Sequence, residues 1–428
     1  MLLGLWIRMF GDSEGATHAL SLVFALASIP LAYEAGRRVF DRRTGLLCAL
    51  LVATTPYLTY YATETRMYAY EGFFSLLAVV AYVEGVMRGR RAWAVVLVPT
   101  VALMVYGHNW ALFFCVGLAL ATILFARERL GTFALVAGGV ALLYLPWLPT
   151  LYSQVQHTGA PWSTKPSFHE LFTAAGAVLG GDAAFVAFVI AASVGLAVTA
   201  GRVERALAVL VGATVLLAWV GSQITPAWTT RYFAVVLGPV VLLASAAVVR
   251  GGRIGAVALV AVLFLWWGFN PKDDKENARR IARQVAPLVH PGELVISTHP
   301  EQVPVLRYYL GPGLRWATTL GPVSDPQVFD WQDAVSRLRA ARPRTMMPRV
   351  LAAVPPGGEF VVIAPLFRDY RAWRAKWTRL VWRRSQQWTV TLASDPHFIL
   401  EHHFMTDEIA VKFNYFKPVQ AFIYKRVG

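Results

Sequence analysis

Long apolar runs separated by short polar segments fill the first 270 residues of the chain. Each run approaches the roughly 20 residues that a helix needs to cross the hydrocarbon core of a bilayer. Pro56 restricts the backbone before it and is expected to interrupt the second run. The pattern predicts an α-helical polytopic membrane bundle of about ten transmembrane helices, at residues 17–36, 44–61, 66–87, 92–107, 109–126, 131–150, 182–200, 205–222, 231–250 and 254–270.

The pattern changes after Asn270, where "NPKDDKENARRIARQ" begins a polar tail with the length of one ordinary domain. Alternation of strand-like and helix-like segments predicts that residues 271–428 form a soluble α/β domain behind a transmembrane domain of residues 1–270. Strands are predicted near residues 293–297 and 360–364, helices at about 274–289, 300–310 and 331–342, and more strands in "SQQWTVTLASDPHFILEHHF" and "VQAFIYKRVG".

One loop of the membrane part, at about residues 151–181, is unusually long, and such loops are commonly functional or disordered. We expect a lid over a cavity at membrane level, ending in a short interfacial helix at residues 168–178. His157, Trp162 and Lys165 are the loop residues that we expect to touch substrate.

Composition and charge fix the orientation. The chain is 56% hydrophobic, only 15% charged and carries a formal charge of +15. Most cations of the membrane part lie in alternate loops, which the positive-inside rule makes cytoplasmic. The other loops carry few cations and many aromatic residues, so the long loop and the C-terminal domain are predicted to be extracytoplasmic at a plasma membrane. The cytoplasmic cations are Arg37, Arg38, Arg42, Arg43, Arg88, Arg90, Arg91, Arg127, Arg129, Arg202, Arg205, Arg250 and Arg253.

The positive charge does not indicate nucleic-acid binding. Topology accounts for the arginines of the membrane part, and no nucleic-acid-binding module is recognisable. The excess of Lys and Arg over Asp and Glu in the tail could bind the anionic headgroups of membrane lipids as well as it could bind nucleic acid.

The predicted topology also bears on the N-terminus. An even number of spans with the C-terminus outside places Met1 outside, yet no cleavable signal peptide is visible. We therefore expect an upstream helix in the native protein.

Candidate chemistry gathers at the predicted outer face. "YYATETRMYAY" contains Glu64 and Arg66, and a helix starting near Glu64 would place Glu64, Tyr68 and Glu71 on one stripe. "WTTRYF" repeats the pattern with Arg231. Arginine suits phosphate because its planar guanidinium donates as a fork and stays charged. The alternative is that Glu64 and Arg66 form a solvated interfacial pair and that a tyrosine caps Glu71.

The turn "YGHNW" carries His108, Asn109 and Trp110, which could contact a sugar or phosphate or be simple turn residues. No second metal ligand lies at helical spacing from His108. In the tail we interpret a cluster of histidines and acids as ordinary strand and loop residues: Asp395, His397, Glu401, His402 and His403. No metal site is predicted, and a divalent cation is the one cofactor left open.

Several of these segments together resemble bacterial GT-C membrane glycosyltransferases, the superfamily of protein O-mannosyltransferases and lipid A aminoarabinose transferases. The similar segments are "FGDSE", "GRRVFDRRTGLLCALL", "ATETRMY", "YGHNW" and "TTRYF". The resemblance implies an inverting transferase that takes a sugar from a polyprenyl-phosphate donor and gives it to a lipid, glycan or protein hydroxyl. It also implies a cavity at the outer face. The residues that we expect to line this cavity or to contact substrate are Tyr61, Tyr68, Glu71, His108, Asn109, Trp110, Trp228 and Tyr232.

The resemblance assigns the donor phosphate to Arg66 and Arg231 and makes Glu64 a supporting acid. The principal aspartate of the family lies upstream of text such as "LLGLWIRMFGDSE", so it is expected to precede Met1. Asp12 and Glu14 match the later "GDSE" segment and are not assigned as the base. His18 stands where relatives often carry arginine.

Two other functions fit the same residues. A transporter or flippase of an anionic lipid would also place arginines in an outer cavity, although no internal repeat is apparent. A non-catalytic membrane partner in envelope assembly would need no principal acid. The absence of GxxxxGK[ST] and GxGxxG motifs argues against chemistry that uses ATP or a nucleotide sugar.

Overall fold

The computed structural model describes residues 2–197, 199–268, 277–366, 374–405 and 418–427, without the side chain of residue 175. Contacts divide the chain into two units, one of residues 1–151 and 165–271 and the other of residues 152–164 and 272–428. The second unit thus includes part of the long loop as well as the tail. Each unit is described by itself.

Helices dominate the chain before residue 268. They are α1 (Leu2–Phe10), α2 (Glu14–Val39), α3 (Arg42–Thr54), α4 (Pro56–Ala62), α5 (Tyr68–Tyr82), α6 (Arg91–Gly107), α7 (Ala111–Phe125), α8 (Leu130–Tyr144), α9 (Leu148–His157), α10 (Phe168–Val178), α11 (Asp182–Gly195), α12 (Arg202–Ile224), α13 (Leu237–Arg250) and α14 (Gly252–Trp267). A π-helical turn (Val83–Met87) continues α5, and a 3-10 segment (Thr230–Val236) precedes α13. Two shorter 3-10 turns, Arg127–Arg129 and Leu145–Trp147, flank α8.

Within the described residues, five helical segments are long and apolar enough to cross a membrane: Glu14–Val39, Tyr68–Met87, Arg127–His157, Arg202–Ile224 and Thr230–Arg250. A sixth candidate is the pair α3 and α4, bent by 53°. Thr55, between these two helices, has extended backbone angles because Pro56 follows it. Four shorter helices, α6, α7, α11 and α14, are also apolar. The chain is a multi-pass membrane protein, as predicted.

Small residues allow the helices of the first unit to pack closely. A Cβ atom added to Gly36 on α2 would lie 2.8 Å from the Cα atom of Gly45 on α3. Likewise, a Cβ atom on Gly238 of α13 would lie 2.5 Å from the carbonyl oxygen of Ser75 on α5. Such close approach is typical of membrane helices, which gain van der Waals contact from it. It brings the starts of α5 and of the 3-10 segment before α13 together at one end of the bundle.

At the other end of α2 and α5, glutamates pair with arginines. Glu34 pairs with Arg37 at 2.7 Å and also with Arg38. Glu84 is buried and pairs with Arg88 at 2.6 Å and with Arg90 at 2.7 Å. Among the described residues of this unit, Glu128 also pairs with Arg202, and Glu204 pairs with Arg250. These arginines belong to the loops predicted to be cytoplasmic, and this end is called the inner end below; the opposite end is called the outer end.

The second unit is built on a six-stranded sheet with the strand order β3-β2-β1-β4-β6-β5. Its strands are β1 (Leu294–Ser297), β2 (Arg315–Thr318), β3 (Gly321–Val323), β4 (Glu359–Pro365), β5 (Phe398–Phe404) and β6 (Val419–Arg426). Strand β1 pairs in parallel with β2 and β4, and the other pairings are antiparallel. Its helices are α15 (Ala278–Val285), α16 (Val303–Leu310), α17 (Ala334–Ala340), α18 (Pro343–Leu351) and α19 (Lys376–Ser394), with 3-10 turns at Ala286–Leu288 and Pro300–Gln302.

Helices cover both faces of this sheet. Ile281 and Leu306, from α15 and α16, share one apolar core with Val295 of β1. Met347 and Trp388, from α18 and α19, share the other core with the opposite side of the sheet. The predicted fold class, a helical membrane bundle with a C-terminal α/β domain, is confirmed.

One strand prediction in this domain is wrong. The segment "SQQWTVTLAS" was expected to be strand-rich, and its consecutive Thr389, Val390 and Thr391 favour strands, yet it is the second half of α19. The buried side chains of this helix recur at helical spacing, at Trp377, Val381, Ser385, Trp388 and Leu392. Their burial against the sheet outweighs the local β-propensity. The following "FILEHHF" does form the edge strand β5.

Candidate active site

The glutamate and arginine of "ATETRMY" lie in a turn and not on a helix. Residues 63–67 are turns and bends, and α5 begins at Tyr68. The expected stripe of Glu64, Tyr68 and Glu71 is therefore wrong, because Glu64 precedes the helix. In this turn Glu64 is half-buried and Arg66 is exposed. Both side chains are thus carried by a loop whose position is set by its neighbours.

Two hydroxyl side chains on the first turns of α2 fix this loop. The hydroxyl of Ser21 donates to the carbonyl oxygens of Glu64 at 2.5 Å and Arg66 at 3.1 Å. The hydroxyl of Thr65 donates to that of Thr17 at 3.0 Å. Ser21 is itself buried. Sequence reasoning missed Ser21 and Thr17, since hydroxyls in an apolar helix carry no local sign of a distant partner.

Arg231 is the second residue of the 3-10 segment before α13. The hydroxyl of Tyr57 donates to its carbonyl oxygen at 2.8 Å and so holds the backbone of this turn. The guanidinium carbon lies 5.5 Å from the ring centre of Tyr232, and the side chain also interacts with Tyr61 and Tyr68. Its Nε atom is buried and has no hydrogen-bond partner among the described residues. No described carboxylate forms an ion pair with Arg231, so its charge is available to an anion.

Aromatic rings from four parts of the chain surround Arg231. The ring centres of Tyr61 and Tyr68 are 4.8 Å apart, and that of Tyr68 lies 6.4 Å from that of Tyr232. Trp110 lies 5.3 Å from Tyr232 and 5.7 Å from Trp228. The structure therefore brings together most of the predicted site residues from α4, α5, the turn after α6 and the segment before α13. Arg66 lies near the rim of this group, since Tyr68 is within electrostatic range of both arginines.

His108 is held in one orientation by its own turn. Its ring lies 4.2 Å from that of Tyr232, and its Nδ1 accepts a hydrogen bond from the backbone N–H of Trp110 at 3.1 Å. Burial and the nearby charge of Arg231 lower the pKa of His108 to about 3. The ring is therefore neutral at pH 7 with its proton on Nε2, and it can donate one hydrogen bond.

The remaining predicted residues differ in exposure. Asn109 is exposed at the surface of the turn, while Trp228 is half-buried. Glu71 is fully buried, and neither of its carboxylate oxygens has a hydrogen-bond partner in the described chain. A tyrosine cap on Glu71 was the alternative interpretation, and no such bond is present. Glu71 is thus enclosed within the helical unit.

Other acids and bases singled out in the sequence lie elsewhere. Glu14 is the first residue of α2, whose N-cap is Ser13, so "FGDSE" marks a helix start. His157 pairs with Asp333 at 3.1 Å, and Trp162 lies 4.6 Å from Trp331, all within the second unit. Lys165 is exposed, in the first unit. The predicted interfacial helix at residues 168–178 is present as α10.

The tail histidines make separate local contacts. His397 pairs with Asp395 at 2.8 Å, and hydrogen bonding to His397 lowers the pKa of that aspartate. His403 bonds to Gln420 at 3.0 Å, and Glu401 lies 3.8 Å from Lys425. Among the residues that the structure describes, no three His, Cys, Asp or Glu side chains are grouped to hold a metal ion.

Comparisons with known proteins show what this chain is similar to. Residues 1–152 match the family model of the dolichyl-phosphate-mannose-protein mannosyltransferases. Solved structures of GT-C membrane glycosyltransferases share the fold. These findings confirm the predicted resemblance to the GT-C class, by family over residues 1–152 and by fold over the whole chain.

The individual relatives are distant in sequence. ArnT from Cupriavidus metallidurans bound to undecaprenyl phosphate is 13% identical with a TM-score of 0.61, and the match covers 100% of this chain and 86% of ArnT. The apo form of that ArnT is 12% identical with a TM-score of 0.58, covering 99% and 86%. The apo oligosaccharyltransferase of Archaeoglobus fulgidus is 13% identical with a TM-score of 0.51, covering 94% and 64%. Comparison with curated proteins by sequence finds no match.

Proposed function

We propose that this protein transfers a sugar from a polyprenyl-phosphate-linked donor to a hydroxyl group of a lipid, glycan or protein. The observation that carries the proposal is Arg231: a guanidinium framed by aromatic rings, without a carboxylate partner among the described residues, and with a buried Nε that lacks a hydrogen bond. A buried cation of this kind is costly unless an anion completes it. The ArnT structure with undecaprenyl phosphate, which has the same fold, supports a lipid phosphate as that anion.

The donor phosphate would then lie against Arg231. The guanidinium would donate in a fork to two phosphate oxygens, and the Nε2–H of His108 would donate to one of them. The hydroxyls of Tyr61 and Tyr68, beside Arg231, are further donors. Arg66, exposed at the rim, would attract the anionic headgroup before it enters.

The chemical step in this proposal is a single displacement that inverts the anomeric carbon. The acceptor oxygen forms a bond to that carbon as the bond from the carbon to the phosphate oxygen breaks, and the polyprenyl phosphate leaves with the electron pair. Arg231 and His108 stabilise the charge that develops on the leaving oxygen. Glu64, on the loop fixed by Ser21, would orient the acceptor hydroxyl as a supporting acid. The proton of that hydroxyl passes to a base outside this group of residues.

Topology supports an outer-face location. The arginine pairs of Glu34 and Glu84 mark one end of α2 and α5, and the site lies at the other end of the same helices. With the positive-inside rule, the site faces the exterior of a plasma membrane and the C-terminal domain is extracytoplasmic.

A transfer assay tests this proposal. The purified full chain receives a radiolabelled polyprenyl-phosphate sugar together with fractions of the cell envelope, and the label is followed from donor to acceptor. Transfer with inversion of the anomeric configuration, read by NMR of the product, is expected. Binding of the donor without transfer to any fraction would contradict an enzyme and favour a carrier of the lipid.

A further inference from the structure

Glu71 is a buried carboxyl that the proposed mechanism leaves without a role. It lies in the first turn of α5, is 0% exposed, and has no hydrogen bond to either oxygen and no ion pair among the described residues. An unsatisfied buried polar group costs several kcal/mol, and ionisable groups at membrane depth usually serve a function. Its position therefore requires an explanation.

Gly107 creates the space that this carboxyl fills. A Cβ atom added to Gly107 would lie 1.9 Å from Oε1 of Glu71 and 2.8 Å from Cε1 of Tyr70. The backbone of Gly107 does not have a positive φ angle, so its conformation does not require glycine. Glycine at residue 107 thus leaves room for the carboxyl of Glu71, and it is not needed for the local backbone conformation.

This contact joins the two sides of the candidate site. Glu71 lies one helical turn after Tyr68, whose ring contacts that of Tyr61. Gly107 ends α6 and directly precedes His108, whose ring packs on Tyr232. The same helices are also joined by the hydroxyl of Tyr70, which donates to the carbonyl oxygen of residue 103 at 2.9 Å. Glu71 therefore lies where the start of α5 meets the end of α6.

We propose that Glu71 is a positioning residue: its carboxyl, seated against Gly107, sets the spacing between Tyr68 on α5 and the turn that carries His108, and thereby shapes the site for the lipid phosphate. The inference rests on the proposed function for the identity of that ligand. The spacing itself is a property of the free protein and is measurable without any ligand.

A double-mutant cycle tests the pair. In Gly107→Ala the added methyl group collides with the buried carboxyl, and because that carboxyl has little room to shift, the turn at His108 is expected to move. In Glu71→Ala/Gly107→Ala the collision is removed, and the methyl group refills part of the vacated space. Glu71→Gln keeps the size of the side chain and should bind ligand more tightly than Glu71→Ala does.

Two readouts keep the outcomes separate. The first is the side-chain ¹⁵N signal of His108 in the ligand-free full chain, labelled at its nine histidines and assigned with His108→Gln. The second is binding of undecaprenyl phosphate. Gly107→Ala is expected to shift the His108 signal and to weaken binding on the order of tenfold to a hundredfold, and the double variant is expected to recover both in part.

Gly139→Ala is the matched control. Gly139 lies on α8, and its added Cβ atom would lie 2.9 Å from Cγ1 of Val98, which is on α6, the helix that ends at Gly107, but away from the site. It should leave the His108 signal in place. An unmoved His108 signal in Gly107→Ala, or a double variant no better than Gly107→Ala, would overturn the inference. If wild type binds no undecaprenyl phosphate, the proposed function fails, while the His108 signal still decides the role of Glu71.

Discussion

Arg88 and Arg90 at the inner end of the helical unit are paired with a carboxylate, whereas Arg231 at the outer end is not. Buried Glu84 holds Arg88 and Arg90, and Arg88 also donates to the carbonyl oxygens of Arg38 and Val39 at the end of α2. Arg231 has aromatic neighbours, a buried Nε without a partner, and no described carboxylate in ion-pairing distance. The same residue type therefore joins helices at one end and lies among aromatic rings, without a carboxylate partner among the described residues, at the other.

The difference follows from charge compensation. A guanidinium that is satisfied by carboxylates and carbonyls contributes to folding and has no residual attraction for a ligand. A guanidinium left unpaired inside the protein reduces stability unless a ligand arrives, which is the arrangement expected of a binding site. Substitutions at the two ends should thus separate stability from donor binding.

The largest effect is expected for Arg231→Ala. Loss of the guanidinium should reduce donor binding and turnover on the order of a hundredfold, with little loss of thermal stability because no ion pair is broken. Arg202→Ala is the matched control: its partner Glu128 and Arg202 itself are about half exposed, so that pair contributes little. Equal donor affinity in wild type and Arg231→Ala would end the phosphate assignment.

Glu84→Ala should have the next largest effect, and on stability alone. It leaves Arg88 and Arg90 without their shared carboxylate and should lower the free energy of unfolding by about 3 kcal/mol, measured by denaturant unfolding in detergent. The donor KM of the folded fraction should equal that of wild type. Glu128→Ala, which removes an exposed acid at the same end, should leave the free energy of unfolding nearly unchanged.

Ser21→Ala should have a smaller effect at the outer end. It removes the hydrogen bonds that fix the loop of Glu64 and Arg66, so we expect a loss of about 1 kcal/mol in stability and a rise of about threefold in donor KM. Ser28→Ala serves as the control, because its hydroxyl bonds only within α2, to the carbonyl oxygen of Phe24. An unchanged KM in Ser21→Ala would show that the loop is held by other contacts.

The smallest effect concerns the protonation of His108. Its pKa in the folded protein is about 3, below the unfolded value near 6.5, so the unfolded state binds the proton first as the pH falls. The stability that this group contributes is complete above about pH 6.5 and is lost progressively down to about pH 3. In ¹⁵N NMR at about pH 5, His108 should remain neutral. A His108 signal that shows a protonated ring at this pH would contradict the lowered pKa.

Sequence reasoning predicted the membrane helices well because lipid imposes a single strong rule on them. Thr230–Arg250 and the proline-broken pair α3 and α4 fall close to the predicted spans. The rule fails where local pattern and packing compete. Strand-like residues after Ser385 are helical in α19, since Trp388 and Leu392 are buried against the sheet.

The candidate site was only partly predictable. Residue type in the short motifs indicated Arg231, His108 and the tyrosines. It did not indicate that Glu64 precedes α5, nor that Ser21 holds the loop, because both depend on contacts between residues more than 40 positions apart in the chain.

By itself, the sequence determined that this protein spans a membrane many times and that the arginines of its membrane part are concentrated in alternate loops. These properties follow from composition and periodicity, since a bilayer core accepts only long apolar helices. The tertiary structure alone decided which charges are neutralised. Glu84 forms ion pairs with two arginines, Glu71 packs against Gly107, and Arg231 lies among aromatic rings. Close helix packing fixes the neighbours of each of these groups.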